Sequence, residues 1–159
     1  MDKEIERKFL LSESADIKTL IKNIKPKKIT QGYAQIGEVE CRVRKRDNEH
    51  LKTVKRRVQG TSLEREEFET PITKKESVNS LKSCLWKVQK KRYVITLDNN
   101  LKAELDVFEK DLSGLTLIEV EFKNTQQAQA FIAPYWFGEE VTDNKKYRNQ
   151  NLAVFGNKK

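Results

Sequence analysis

The sequence predicts an α+β chain centred on eight antiparallel strands, enough to close into a barrel. Three observations carry that prediction. Apolar and polar residues alternate with period 2 over most of the chain, as in strands with two unlike faces. Turn-forming residues separate most of the later runs, at Asp47-Asn48, Gln59-Gly60, Asp98-Asn99-Asn100 and Ser113-Gly114. Helical spacing is confined to three short stretches and a tail.

Taken in order, the first strand (about 3–11) sets Glu4, Glu6 and Lys8 on one face against Ile5, Arg7 and Phe9 on the other. Ile17, Leu20, Ile21 and Ile24 then line one side of a helix over about 14–25, ended by Pro26. A strand over 29–36 aligns Ile29, Gln31 and Tyr33. The next, 38–46, sets Glu40, Arg42 and Arg44 against Val39, Cys41 and Val43. Strands over 51–58 and 63–70 group Thr53 with Lys55 opposite Val54, and Arg65 with Glu67 and Glu69 opposite Phe68. Val78, Leu81 and Leu85 mark a helix over about 76–86. Three more strands follow. In 88–97, Lys90 and Arg92 oppose Tyr93, Ile95 and Leu97; in 101–109, Glu104 and Asp106 oppose Leu105 and Val107; in 115–123, Glu119 and Glu121 oppose Ile118, Val120 and Phe122. Asn124 and Gln127 form a capping pair for a short helix through Phe131, stopped by Pro134. The tail from about 144 to 155 offers a fourth helix.

The sheet therefore has an apolar face and a face with sixteen charges, nine carboxylates and seven cations. Burying one ion in a dry core costs several kcal/mol, while a whole domain is stable by only about 5–15 kcal/mol. The charged face must meet water or a charged ligand. Like charges sit two apart on one strand at Glu4/Glu6, Arg42/Arg44, Glu104/Asp106 and Glu119/Glu121, where a merely solvated face would mix signs. Clustered carboxylates suit a hard cation such as Mg²⁺ or Mn²⁺, and clustered arginines grip phosphate with two hydrogen bonds each. Closing the strands into a barrel would make that face the lumen, with the helices at 14–25 and 76–86 covering the apolar exterior.

Composition removes other chemistries. The 159 residues, at 18.6 kDa, form one domain (1–159) with no repeat or linker, large enough to need no covalent staple. Two cysteines and one histidine, His50, leave no zinc site, disulfide framework or histidine-based triad. No glycine falls in a P-loop or a dinucleotide fingerprint. No apolar run approaches the ~20 residues of a membrane span, and Met1-Asp2-Lys3-Glu4 does not open a signal peptide, so the expected compartment is the cytoplasm and no membrane partner is expected. The net charge of +8 raises nucleic acid as a partner. The basic residues share strands with carboxylates instead of forming one stripe, which argues against it. A homodimer is compatible with the sequence, although no residue marks its interface.

Glu4-Ile5-Glu6-Arg7-Lys8 resembles the ExExK signature of the CYTH superfamily, the triphosphate tunnel metalloenzymes. Gln31-Gly32-Tyr33, Glu40-Cys41-Arg42-Val43-Arg44, Lys55, Arg65-Glu66-Glu67-Phe68-Glu69, Lys90-Lys91-Arg92-Tyr93, Glu104-Leu105-Asp106-Val107-Phe108 and Glu119-Val120-Glu121-Phe122 resemble family segments in order. So do Trp136-Phe137-Gly138-Glu139-Glu140-Val141-Thr142 and Lys146-Tyr147-Arg148-Asn149. The similarity runs from residue 4 to about 152 and is strongest to the short bacterial members that hydrolyse inorganic triphosphate.

The resemblance implies an eight-stranded tunnel holding a triphosphate and a divalent metal, Mg²⁺ or Mn²⁺. Carried onto this chain, it assigns the metal to Glu4, Glu6, Glu119 and Glu121, with Asp106 as an additional residue either on the ion or behind one of its ligands, and Glu67, with Glu69, for a second ion. Lys8, Arg42, Arg44, Lys55, Arg65 and Arg92 would bind phosphate oxygens. Lys90, paired with Tyr33, is the candidate to activate water, the other reading being a core-packed Tyr33 and a Lys90 that only binds phosphate. Glu40 and Glu104 are expected in salt bridges to tunnel arginines, and Lys146 and Arg148 either at a tunnel mouth or in solvent. Cys41, Trp86, Tyr93 and Phe122 are expected in packing. The same architecture serves class IV adenylyl cyclases and thiamine or nucleoside triphosphatases, and a polyphosphate-binding module without turnover is a third reading. The short chain favours inorganic triphosphate. The carboxylates favour an enzyme, since binding an anion does not require them.

Overall fold

The computed structural model describes residues 2–36, 38–58 and 64–157. Among them nine strands and four helices follow in chain order: β1 (Asp2–Leu11), α1 (Ile17–Leu20), β2 (Lys27–Gln35), β3 (Val39–Arg46), β4 (Glu49–Arg57), β5 (Glu64–Pro71), α2 (Lys74–Ser83), β6 (Trp86–Thr96), β7 (Lys102–Phe108), β8 (Thr116–Phe122), α3 (Thr125–Ala130), β9 (Phe137–Glu140) and α4 (Asn149–Phe155). No described helix is long and apolar enough to cross a membrane.

Eight strands close into an antiparallel barrel in the order β1-β5-β4-β3-β2-β6-β7-β8, with β8 returning to β1. The seam is short, Asp2–Ile5 of β1 on Glu64–Glu67 of β5. Beyond it β9 pairs with β1 at Phe9 and Leu11. The expected turns at Asp47-Asn48 and Asp98-Asn99-Asn100 are present. Asp47, Asn99 and Asn100 take left-handed φ of 51°, 63° and 62°, a region short polar side chains tolerate. The expected turn at Gln59-Gly60 lies outside the described residues, as does Leu63 at the start of the fifth expected strand.

Each strand turns one face inward and one outward, as the alternation requires. The outward residues Ile5, Phe9, Leu105, Ile118, Val120 and Phe122 form a buried core with Ala128 of α3, Trp136 and Phe137, against which Ile17, Leu20 and Ile21 pack. The second covering helix, α2, starts on a capping box between Thr73 and Glu76. It can lie on β2 because Gly32 has no side chain. A Cβ there would sit 2.8 Å from Cys84 Sγ and 3.1 Å from Leu81 Cδ2.

Three elements differ from expectation. The helix expected over 14–25 is only Ile17–Leu20. Asp16 caps it by accepting from Thr19, and Asn23 turns left-handed at φ 66° shortly before Pro26, whose ring disfavours helix in the residue ahead of it. The tail forms α4 only from Asn149 onward. Strand β9 was not expected, since its four residues Phe137-Gly138-Glu139-Glu140 include a glycine and two adjacent carboxylates.

One end of the lumen is filled. Val88, Phe108 and Leu117, which share faces with the charged residues of their strands, and Tyr33, which shares one with Gln31, form a buried cluster with Leu152 of α4 and Val141, and Leu10 packs against it. The barrel thus has an apolar floor beneath its charged section.

Candidate active site

Above that floor lies a cavity of about 200 Å³. Its described lining is entirely charged except for Asn149: eight glutamates and seven cations. Every strand of the barrel except β2 contributes to it, because alternation aims residues two apart into the same space. Fourteen of the sixteen charges expected on the inner face line this cavity. Lys90 and Asp106, 0% and 1% exposed, lie directly beneath the lining.

The carboxylates gather on β1, β7 and β8. Glu6 stands opposite Glu121, and Glu119 is opposite both Lys8 and Glu104. Burial first, then Glu119 and Glu4, push the Glu6 carboxyl up to about 8, and Glu6 shares a hydrogen bond with Glu119. Burial and a hydrogen bond with Glu4 likewise raise Glu67 to about 7. Carboxyl pairs that share a proton are oxygens crowded more closely than their charge allows. Such an all-oxygen donor set fits Mg²⁺ or Mn²⁺. Among the described residues no three acidic groups converge on one metal-sized point. Cations draw them apart instead: Lys55 Nζ lies 2.9 Å from Glu4, and Arg65 bonds Glu4 at 2.8 Å and also Glu6. Burial alone would raise Glu4, yet Lys55 and Arg65 hold it well below the usual carboxylate range.

The opposite wall, formed by β3, is positive. Arg42 and Arg44 are 4% and 6% exposed, and Arg46 continues their row. Glu40 approaches Arg42 at 3.7 Å, while Arg42 Nε and Glu40 Oε2 are buried without a hydrogen-bond partner among the described residues. Arg44 donates through Nε to Gln31 Oε1 at 3.0 Å. Burial, then Arg42 and Arg92, lower its guanidinium to about 10.

Arg92 grips Asp106 with two bonds of 2.8 and 2.9 Å and Glu104 with one of 3.0 Å. Lys90 Nζ lies 2.7 Å from Asp106 and donates to Asn149 Oδ1 at 3.1 Å. Burial lowers Lys90 to about 8 against the pull of Asp106, with Arg92 and Arg44 adding to the lowering.

Most candidates from the sequence therefore face one space: Glu4, Glu6, Glu67, Glu69, Glu119, Glu121, Lys8, Arg42, Arg44, Lys55, Arg65 and Arg92. Glu40 and Glu104 pair with arginines as expected. Three groups of candidates lie apart from that lining. Asp106 lies beneath it, accepting from Arg92 at both oxygens and from Lys90 at one. Tyr33 does not line the cavity: its hydroxyl accepts from Gln31 Nε2 at 2.7 Å, and Lys90 is held by Asp106 and Asn149 instead. Lys146 and Arg148 are likewise absent from the described lining, and Lys146 lies over the Tyr147 ring. Sequence reasoning missed Arg46, Asn149 and Gln31. Arg46 continues the period of Arg42 and Arg44 and was legible. Asn149 carries no such signal, because it enters from α4.

Comparison with known proteins agrees with this geometry. The family model of the CYTH domain matches residues 2–150. An inorganic triphosphatase of Nitrosomonas europaea is 38% identical over 159 residues, covering 95% of this chain and 97% of its own. One from Acetivibrio thermocellus is 31% identical over 154 residues, covering 96% and 94%. A crystal structure of the inorganic triphosphatase NE1496 superposes with a TM-score of 0.67 at 36% identity, covering 97% of this chain and 96% of that one.

Proposed function

The chain belongs to the CYTH domain family, and from that premise we propose that it hydrolyses inorganic triphosphate to pyrophosphate and phosphate, as a divalent-metal-dependent cytoplasmic enzyme formed by a single domain of residues 1–159. The observation that carries the reading is the cavity. At about 200 Å³ it is smaller than the roughly 300–1,000 Å³ of drug-sized sites, and no described aromatic or aliphatic side chain lines it to hold a base or a thiazolium ring. A small polyanion fits, and two named relatives support the choice.

Glu4, Glu6, Glu119 and Glu121 would hold Mg²⁺ or Mn²⁺, with Glu67 beside them. Bound there, the ion would neutralise phosphate charge and orient the chain for attack. Arg42, Arg44, Arg65, Arg92, Lys8 and Lys55 would take the phosphate oxygens. Phosphoryl transfer gains most from such positioning and charge neutralisation, because charge spreads over the transferred group. Asp106 is assigned to positioning: it fixes the Arg92 fork and anchors Lys90.

Lys90 is the proposed base for the attacking water. Its loosened proton supports this, and Asn149 joins it to the lining. A base must reach the proton it takes, so Lys90 can act only when Asn149 yields.

The test is phosphate release from inorganic triphosphate, ATP and thiamine triphosphate with Mg²⁺ or Mn²⁺, in the wild type and in Glu4→Gln. Turnover of inorganic triphosphate alone, metal-dependent and lost in Glu4→Gln, is expected. Release from ATP or thiamine triphosphate at a comparable rate would overturn the substrate assignment. In the same assay the rate should rise with pH through about 8, as Lys90 becomes neutral, and that limb should vanish in Lys90→Ala. An unchanged limb would remove Lys90 as base.

A further inference from the structure

Seven cations line the cavity, and six of them lie within 4 Å of a carboxylate. Arg44 is the exception: among the described residues it has no ion pair, and its hydrogen bond goes to the neutral amide of Gln31. Gln31 is itself 0% exposed and uses both ends of its amide. Arg44 Nε can only donate, so the amide oxygen must face it and the amide NH₂ must face Tyr33. The Tyr33 hydroxyl accepts that bond and a second from Arg42. Two buried arginines, two residues apart on β3, are thus held in register by a neutral bridge of Gln31 and Tyr33 from the adjoining strand β2.

We propose that Gln31 is a positioning residue that aims Arg44 into the cavity while leaving its charge unspent, making Arg44 the primary anchor for a phosphate group of the substrate. An acidic partner would fix the guanidinium equally well but would compete with every incoming oxygen. An amide fixes it without competing. A cation already paired to glutamate, such as Arg65, can meet phosphate only by giving up a bond. Arg44 gives up nothing.

This inference rests on the triphosphatase reading, and the experiment separates the two. Calorimetric binding of inorganic triphosphate and steady-state turnover are measured for the wild type, Gln31→Glu, Gln31→Met, Arg44→Gln and the double variant Gln31→Glu/Arg44→Gln. Gln31→Glu should fold, since the new carboxylate meets Arg44 and the Tyr33 hydroxyl can rotate to donate to it. It should weaken triphosphate binding and raise KM by about tenfold or more, with a smaller change in kcat and no loss of melting temperature. Gln31→Met, which removes the bond without adding charge, should raise KM only about two- to threefold while lowering the melting temperature. In the Arg44→Gln background, Gln31→Glu should have no further effect beyond about twofold, because its target is gone. Wild-type affinity and KM in Gln31→Glu, or equal losses in the presence and absence of Arg44, would overturn the proposal. A wild type that binds triphosphate without hydrolysing it would overturn the reaction instead, and the binding series would still decide the role of Gln31.

Discussion

Glu6 illustrates how a single residue can be placed against its own stability. Burial and the neighbouring carboxylates Glu119 and Glu4 raise it from an ordinary glutamate to about 8. Between its unfolded value, near 4.5, and about 8 the native state holds a proton that the unfolded chain has released. Stability therefore falls as pH rises across that interval, the reverse of a salt-bridged carboxylate. Glu6→Gln, studied without divalent metal, should gain on the order of 1 kcal/mol or more above pH 8, a few degrees of melting temperature, and little near pH 4.5. Calorimetry across that range checks this, and an equal gain at both ends would show that charge is not the cause. The Glu-x-Glu spacing on β1 and β8 was legible in the sequence because it depends only on strand period. The partner of each carboxylate was not. Arg65 reaches Glu4 and Glu6 across the barrel seam, from about sixty residues away, and only the register of β1 on β5 puts them together.

Among the elements, β9 shows what strand patterning overlooks. It is short and polar, and its place is set by one outward side chain of β1. Arg7 forks onto Glu140 at 2.6 and 2.8 Å, donates to the carbonyls of Ala128 and Phe131, and lies over the rings of Phe9 and Phe131. One guanidinium therefore ties together β1, β9 and the end of α3. The sequence placed Arg7 on the outer face but could not say what covered it. Arg7→Ala should destabilise the fold by about 1–2 kcal/mol, since it strands two carbonyls and a carboxylate, while kcat and KM of the folded protein stay unchanged. The Arg7 bond holds Glu140 below its ordinary pKa, so the pair's contribution is present above the unfolded value of about 4.5 and lost as pH falls through the folded one. Glu140 is 37% exposed, which screens that part to a few tenths of a kcal/mol. Melting followed from pH 7 downward should thus show a slightly shallower acid limb in Arg7→Ala; a steeper one would contradict the assignment.

For the whole molecule, the alternation revealed the barrel and its two faces, but not that the inner face changes character along its length. Leu10, Tyr33, Val88, Phe108 and Leu117 continue the rows of Lys8, Gln31, Lys90, Asp106 and Glu119, and period alone cannot tell the end of a charged row from its middle. Where the rows turn apolar, α4 docks and the lumen closes, which confines the charge to a short section. That section is nearly neutral, eight carboxylates against seven cations in its described lining. The excess of 32 Lys and Arg over 24 Asp and Glu therefore lies on the outside. A positive exterior around a cavity that takes a polyanion should speed encounter, an effect that reaches only about a Debye length and weakens with salt. The paired charges inside are screened far less. Raising ionic strength from about 0.02 to 0.3 M, where the Debye length falls from roughly 20 to 6 Å, should lower kcat/KM for inorganic triphosphate about tenfold and change kcat by less than about twofold. Replacing exterior lysines with glutamine, for instance Lys18 and Lys22, should flatten that salt dependence and leave kcat intact. A salt response carried by kcat would instead place the sensitive charges within the cavity and leave the exterior excess without a role in capture.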